Sequence, residues 1–533
     1  MELDIIKRYE KSFKENRNLP AITDYSSGKT YTYLQLAAKV DKEHRRLHSL
    51  GIRKGDTISI IGRNSADWIC TYIGIVTYGA VVVPILPDFS PEGIVGIINH
   101  SDSRVLYCDE SILARLQKDA LEKVEKIFTF EELGQPDLQD FDIDSIHYAD
   151  TAPDDLMIIS YTSGTTGTSK GVMLPVRAIT GNVQFTVEHN FHFKGSRVLA
   201  ILPLAHTFGC TIDMLVPLSV GTHVFVLGKT PVPSLVMKAL SDVRPHLICA
   251  VPLVIEKIVQ KNVMPQLEKQ PVKFLLKIPG INNVIYSSVR KKMLKAFGGN
   301  IMEMMLGGAG LNKDVESFLK KIKFPFTIGY GMTECGPLIC YCSHKEFVKG
   351  SCGKLISYLE LKLLKDGYQN NMGEICIKGK HVMLGYYKNP EATQAVLQDG
   401  WLHTGDLGYM DKEHNVYLRG RCKTMILTST GQNIYPEEIE SHINRIEGVS
   451  ESLVYEEDGK LFALVVPELD YLKKNSLSMG DFAEMTDKAL IQLNKEVAPY
   501  EKISKIKLCS EPFEKTPKQS IKRFLYPKAA KLI

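Results

Sequence analysis

At 533 residues the chain is too long for one compact core, and the usual ~150 residues per domain suggests three or four units, or two large ones. Apolar residues at 44% and charged residues at 24% are those of packed globular domains and exclude a disordered or fibrous chain. A formal net charge of only +4, from 65 basic and 61 acidic side chains, argues against a dedicated nucleic-acid binder.

Met1-Glu2-Leu3-Asp4 leads into mixed charge, with no basic segment ahead of an apolar one, so no signal peptide is expected and the reading is cytoplasmic. The eleven cysteines are odd in number and lack a framework spacing, which fits a reducing compartment. Cys335, Cys340, Cys342 and Cys352 contain no C-x-x-C pair and lie in apolar sequence, so buried thiols are expected there rather than a zinc site.

In chain order, a strand at Thr57–Ile61 precedes a helix at 65–78, and a core strand follows from Ala80 to Ile85. The uncharged run Trp68 to Leu86 is long enough to span a membrane, but Gly74, Gly79 and Pro84 interrupt it, and a buried helix turning into a strand explains it better. Further β-rich runs stand at Val105–Cys108, Leu156–Thr162, Val198–Leu202, His223–Val226 and Leu247–Val251, separated by helical patterns. This alternation predicts an α/β architecture. Between Glu256 and Phe297 nine Lys or Arg face two Glu, with Phe274, Leu275, Leu276 and Ile278 interleaved; this is either a solvated helical face or a dock for an anionic membrane or an acidic carrier protein. Beyond about residue 355 strands in hairpin order are expected at Glu360–Lys365, Gly373–Lys378 and Asn415–Arg419. From Arg421 a small α+β domain follows, with helices near 436–446 and 480–497 and strands near 452–456 and 461–466.

Tyr161-Thr-Ser-Gly-Thr-Thr-Gly-Thr-Ser-Lys170-Gly171 is the strongest local signal. Backbone N–H groups at Gly164 and Gly167, hydroxyls of Thr162, Ser163, Thr165, Thr166 and Thr168, and the Lys170 ammonium suit polyphosphate oxygens. It is not a Walker A loop, because Ser169 stands where glycine is required and Gly171 where the Mg-binding hydroxyl belongs.

Six more segments follow: Pro203-Leu-Ala-His206, Gly307-Gly308-Ala309-Gly310-Leu311, Gly329-Tyr330-Gly331-Met332-Thr333-Glu334, Gly400-Trp-Leu-His-Thr404-Gly405-Asp406, Gly420-Arg421-Cys422-Lys423 and Gly431-Gln-Asn433-Ile-Tyr-Pro436-Glu-Glu438-Ile-Glu440. In this order they resemble the adenylate-forming superfamily, specifically the AMP-binding acyl-CoA synthetases, over nearly the full length. The resemblance implies a large N-terminal domain (1–420) of αβ-layered subdomains plus a distorted β-barrel, and a small mobile α+β C-terminal domain (421–533). It also implies two half-reactions, using ATP, Mg2+ and coenzyme A: a carboxylate attacks the α-phosphorus to give acyl-AMP, then a thiol takes the acyl group. A medium- or long-chain fatty acid is the expected substrate, with an aryl acid or an acyl carrier protein as alternatives on the acid and thiol sides.

By the same resemblance Glu334 serves Mg2+, Thr333 the α-phosphate, Tyr330 the adenine, and Gly308 and Ala309 the close approach of purine and acyl group. Asp406 and Arg421 serve the ribose, His206 the carboxylate site, Lys423 a hinge between half-reactions, and Gly431 the thiol tunnel. The departure lies at Lys515-Thr516-Pro517-Lys518-Gln519-Ser520-Ile521-Lys522-Arg523, where Ser520 takes the position of the family's catalytic lysine. Losing one such donor typically costs roughly 10²–10³ in rate. Lys518 and Lys522, each two residues away, are the candidate substitutes, and on an extended segment Lys518 shares a face with that position; the alternative is a chain slow at adenylation that still uses preformed acyl-AMP. A retired binding protein that holds a nucleotide is the remaining alternative.

Overall fold

A computed structural model describes residues 4–162, 169–229, 231–365, 368, 371–427, 433–516 and 520–532. The chain folds as two compact units, the first from residues up to 162, 169–360 and 378–400, the second from 361–377 and 401–533.

Two seven-stranded sheets build the first unit, with a small three-stranded one formed by Tyr330–Gly331, Leu338–Tyr341 and Lys354–Leu355. In one, Leu156–Thr162, Val81–Ile85, Thr57–Ile61, Val105–Cys108 and Lys126–Thr129 lie side by side in parallel. Lys170–Pro175 and Gly385–Tyr386 extend this sheet antiparallel on its other side. In the other, Phe326–Ile328, Glu303–Leu306, Leu247–Ala250, Arg197–Ala200, His223–Val226 and Pro20–Asp24 are parallel, and Thr30–Thr32 closes the edge antiparallel. Thr57–Ile61, Val81–Ile85, Val105–Cys108 and Leu247–Ala250 are buried along their whole length, as parallel strands covered on both faces must be.

The uncharged run resolves into the helix Ala66–Tyr78 and the strand Val81–Ile85, as expected from its glycines. Ser65 caps the helix through the Trp68 N–H, and Gly79 ends it in the left-handed conformation at φ 89°, which glycine adopts without penalty. Trp68, Tyr72 and Ile73 are buried on it, and at Gly74 a Cβ would stand 2.7 Å from Glu43 Cγ, so the glycine lets the helix Tyr33–Ser49 pack close. Among the described residues no helix is long and apolar enough to cross a membrane.

The second unit holds two larger sheets and the short antiparallel pair Ile426–Leu427 with Asn433–Ile434. In the first, Gly373–Gly379, Trp401–Met410 and Val416–Arg421 run antiparallel, with Leu359–Leu364 outside Gly373–Gly379. In the second, Val449–Glu457, Lys460–Pro467 and Ile503–Leu508 form a sheet under the helices Pro436–Ile443 and Met479–Glu496, around Ile439, Val454, Ala463, Phe482 and Leu490. Among the described residues no sheet closes, so the expected distorted barrel is replaced by open sheets. The outer strands Leu359–Leu364 and Val416–Arg421 keep exposed charges, among them Glu360 and Arg421, which discourage edge pairing.

All eleven cysteines are free thiols, and only Cys422 is not fully buried. Burial pushes the Cys335 and Cys340 thiols well up and Cys342 to about 11, so they behave as inert apolar groups.

Candidate active site

In the first unit the antiparallel pair Leu156–Thr162 and Lys170–Pro175 sets Thr162 directly opposite Lys170. Ser163, Gly164, Thr165, Thr166 and Gly167, between them, lie outside the described residues. The Lys170 ammonium stands 4.8 Å from the centre of the Tyr386 ring, and the Tyr386 hydroxyl donates to Glu334 Oε1 at 2.9 Å. One ring thus joins the cation at the end of the hydroxyl-rich loop to the carboxylate that the sequence assigns to Mg2+. Tyr386 is held in turn by pairing with Val172 and by its N–H donating to Thr393 Oγ1 at 2.8 Å. With Oε1 engaged, Glu334 keeps a second carboxylate oxygen in a half-buried setting, a hard-oxygen donor that fits Mg2+ shared with phosphates.

Thr333 and Glu334 begin a single tight turn, Thr333–Cys335, that follows the short strand Tyr330–Gly331. Tyr330 pairs with Cys340 and is buried, as is Thr333. Gly331 admits no side chain, because a Cβ there would meet the Pro337 carbonyl oxygen at 2.2 Å. Asn182, fully buried on the helix Val176–Glu188, clamps the turn: its amide donates to the Cys335 carbonyl at 3.0 Å and accepts from the Leu338 N–H at 3.0 Å. From the other side a His381 ring nitrogen bonds the Leu338 carbonyl at 3.2 Å, and burial lowers this histidine to about 4, so it is a neutral donor.

Gly308 follows the carboxyl end of Glu303–Leu306 at φ +84° with open space around it, so conformation rather than crowding calls for glycine. Ala309 beside it is exposed. The Gly307 N–H donates to Ala250 O and the Gly329 N–H to Leu306 O, at 3.2 and 2.9 Å, which gathers the glycine loop at the carboxyl ends of parallel strands, where α/β sheets bind ligands. His206 lies beyond the strand Arg197–Ala200, not at its end. Its Nδ1 accepts the Phe208 N–H at 3.3 Å at the start of the turn Thr207–Cys210, because residues 201–206 form a connection that delivers it to the helix start. The Phe208 ring packs beside Gly307, where a Cβ would be 3.2 Å away, so the His206 turn adjoins the glycine loop.

In the second unit Asp406 and Arg421 are direct cross-strand partners, with Arg421 Nε 3.0 Å from Asp406 Oδ1. The register slips between Glu374 and Cys376, so the opposite strand bulges over residues 404–406, and Asp406 has its ladder partner in Arg421 and none on Gly373–Gly379. Gly405, at φ +72°, permits the bulge. Glu374 holds it: Oε1 accepts the Gly405 N–H and Oε2 meets His403 Nδ1, both at 2.9 Å. Cys376 Sγ is 3.6 Å from the same nitrogen, and burial pushes its thiol up to about 11. Lys423 is exposed in the turn after Arg421, and Gly431 lies outside the described residues.

At the C-terminus the Thr516 N–H donates to Ser520 O at 2.8 Å and Lys515 pairs antiparallel with Ile521. Lys522 Nζ is 3.2 Å from Glu514, and Lys518 lies outside the described residues. Tyr386, Asn182 and Glu374 escaped the sequence reading. Each acts through a contact distant in sequence.

A family model described as "AMP-binding enzyme" matches residues 9–387, and one described as "AMP-binding enzyme C-terminal domain" matches residues 423–529. The chain belongs to the AMP-binding enzyme family. It is 29% identical over 451 residues to 4-coumarate–CoA ligase 3 of Oryza sativa subsp. japonica, covering 79% of this chain and 74% of that protein. It is 28% identical over 520 residues to the long-chain-fatty-acid–CoA ligase ACSBG2 of Rattus norvegicus, covering 87% and 77%. The anthranilate CoA ligase AuaEII, solved in complex with anthranoyl-AMP, shares the fold at a TM-score of 0.81 and 21% identity, over 99% of this chain and 98% of that one. Together these support adenylate-forming CoA ligase activity, a class that uses ATP, Mg2+ and CoA.

Proposed function

We propose that the enzyme activates a medium- or long-chain fatty acid as its acyl-adenylate and passes the acyl group to CoA. The linked Lys170, Tyr386 and Glu334 carry the adenylation reading: a cation and a hard-oxygen ligand meet on one ring beside a hydroxyl-rich loop. Thr333 donates to the α-phosphate, Tyr330 stacks on the adenine, and Asp406 with Arg421 takes the ribose. The His206 turn borders the carboxylate. No side-chain nucleophile is needed, since the acid and the thiol supply the attacking atoms; the protein contributes position and charge. Bound Mg2+ would neutralise phosphate charge, with Glu334 as the protein ligand. Residues 421–533 would swing about Lys423 between half-reactions, bringing Gly431 to the thiol tunnel. The eleven free thiols suit work in a reducing cytoplasm.

The fatty-acid reading is supported by reach: the long-chain relative aligns over 520 residues and the coumarate relative over 451. An aryl acid is the second reading, favoured by the slightly higher identity of the coumarate ligase, 29% against 28%. An acyl carrier protein remains the alternative thiol donor. With Lys522 drawn to Glu514, Lys518 is the proposed stand-in for the missing lysine.

Pyrophosphate release over a series of fatty and aryl acids, with and without CoA, tests the assignment. Fatty acids should give the fastest release, Ser520→Lys should raise it by roughly 10²–10³, and Lys518→Ala should lower it. No release from any acid in either form overturns the ligase reading, and full activity in Lys518→Ala overturns the substitution.

A further inference from the structure

Between the strands Leu247–Ala250 and Glu303–Leu306 the first unit sends out a chain of helices, Pro252–Ile258, Met264–Glu268, Val272–Leu275 and Ile281–Ala296. A crossover helix of a parallel sheet normally buries an apolar stripe against it. Here no described residue from 263 to 292 is buried. The helices Met264–Glu268 and Val272–Leu275 bury nothing, and the four-turn helix Ile281–Ala296 buries only Met293. Yet the segment is rich in apolar residues, with Leu253 55%, Phe274 63%, Ile281 39% and Val284 69% exposed. These side chains are displayed instead of being used in the core.

The same segment concentrates charge. Nine basic residues against two acidic ones between Glu256 and Phe297 give +7, while the whole chain carries +4, so everything else is net −3. Lys257, Lys269, Lys273, Lys277, Arg290, Lys291, Lys292 and Lys295 have no carboxylate partner among the described residues, although ion pairs are common elsewhere on the molecule. Solvated faces usually mix both signs; this one does not.

We propose that residues 253–295 dock the enzyme on an anionic lipid surface, with the cations at headgroup phosphates and Phe274, Ile281 and Val284 in the acyl boundary. Lys273-Phe274-Leu275-Leu276-Lys277-Ile278 shows why lipid fits better than an acidic protein. Flexible ammonium stems reach a diffuse negative layer while the apolar side chains between them enter hydrocarbon, with no fixed partner geometry needed. The segment springs from the strand end at Ala250 that also holds the Gly307 N–H. Lipid docking of this kind is independent of which acid the enzyme activates.

Sedimentation of the full-length protein with vesicles of phosphatidylcholine, with and without phosphatidylserine, tests it. Binding is expected to the phosphatidylserine vesicles at low salt and to be lost near 1 M salt, where screening shortens to about 3 Å. Combining Lys273→Glu, Lys277→Glu, Lys291→Glu and Lys292→Glu should weaken it at least about a hundredfold, since each basic residue near such a surface contributes roughly a factor of five. In an otherwise unaltered chain, the indole introduced by Phe274→Trp should shift to shorter emission wavelength and be quenched by brominated acyl chains. Absence of vesicle binding, equal binding to neutral and anionic vesicles, an unaffected charge-reversed variant or an unquenched indole would each overturn lipid docking. So would charge-dependent capture of purified acyl carrier protein in the absence of vesicle binding, which would assign the face to an acidic protein.

Discussion

Tyr386 shows how a residue with no motif of its own can hold a site together. Its hydroxyl donates to Glu334 while its ring lies by the Lys170 ammonium, so one phenol sets both the direction of a carboxylate and the position of a cation. Tyr386→Phe keeps the ring and removes the hydroxyl. A hydrogen bond to a charged group contributes about 1.5–3 kcal/mol, so pyrophosphate release should fall about ten- to a hundredfold, with a raised Mg2+ requirement and an unchanged melting temperature. Unchanged rates at all Mg2+ concentrations would show that the Tyr386 hydroxyl does not position Glu334 for the reaction. Asp406 and Arg421 behave differently. Their residue types and order announced them, and the register confirms them as neighbours.

At the scale of elements, the second unit positions Asp406 by a defect in a sheet. The bulge over residues 404–406 needs Gly405 at positive φ and the Glu374 carboxylate to hold its N–H. Gly405→Ala should cost about 1–2 kcal/mol in the left-handed region. It should also raise the KM for ATP, read from steady-state kinetics beside a thermal melt. A loss of stability with no change in KM would make the bulge purely structural. The turn Thr333–Cys335 is built on the opposite plan, clamped from outside by Asn182 and His381 rather than by its own strand. Strands were readable because β-branched runs between turn residues are a local signal: Thr57–Ile61, Val105–Cys108 and Leu156–Thr162 fall where the sequence places them. The bulge and the clamp were not readable, since each depends on residues brought together by pairing.

At the scale of the whole molecule, burial leaves several histidines neutral. His44, His192, His223 and His381 are each lowered to about 4, with burial as the main cause. Between pH 6.5 and about 4 such a group takes up its proton only after unfolding. Stability is therefore kept above pH 6.5 and lost as pH falls through that window, by about 1.4 kcal/mol per pH unit for each titrating group. His192 is fully buried with Nε2 2.9 Å from the Ile212 carbonyl, a bond that Gln can replace. Urea unfolding of wild type and His192→Gln from pH 7 to 4.5 should show the wild type falling more steeply, while other buried groups cancel in the difference. Parallel slopes would mean that His192 is charged in the fold.

The sequence by itself determined the α/β class, the order of the seven motif segments and the departure at Ser520, because composition, periodicity and motif spacing are properties of the chain alone. Only the tertiary structure decided that the sheets stay open, that Tyr386 joins Lys170 to Glu334 and that Glu374 holds the Asp406 bulge. It also decided that the basic segment leaves Phe274, Ile281 and Val284 exposed while Val259, Met293 and Phe297 enter the core. Each of these depends on which distant side chains pack or pair, and that is settled by burial and strand register after the local elements have formed.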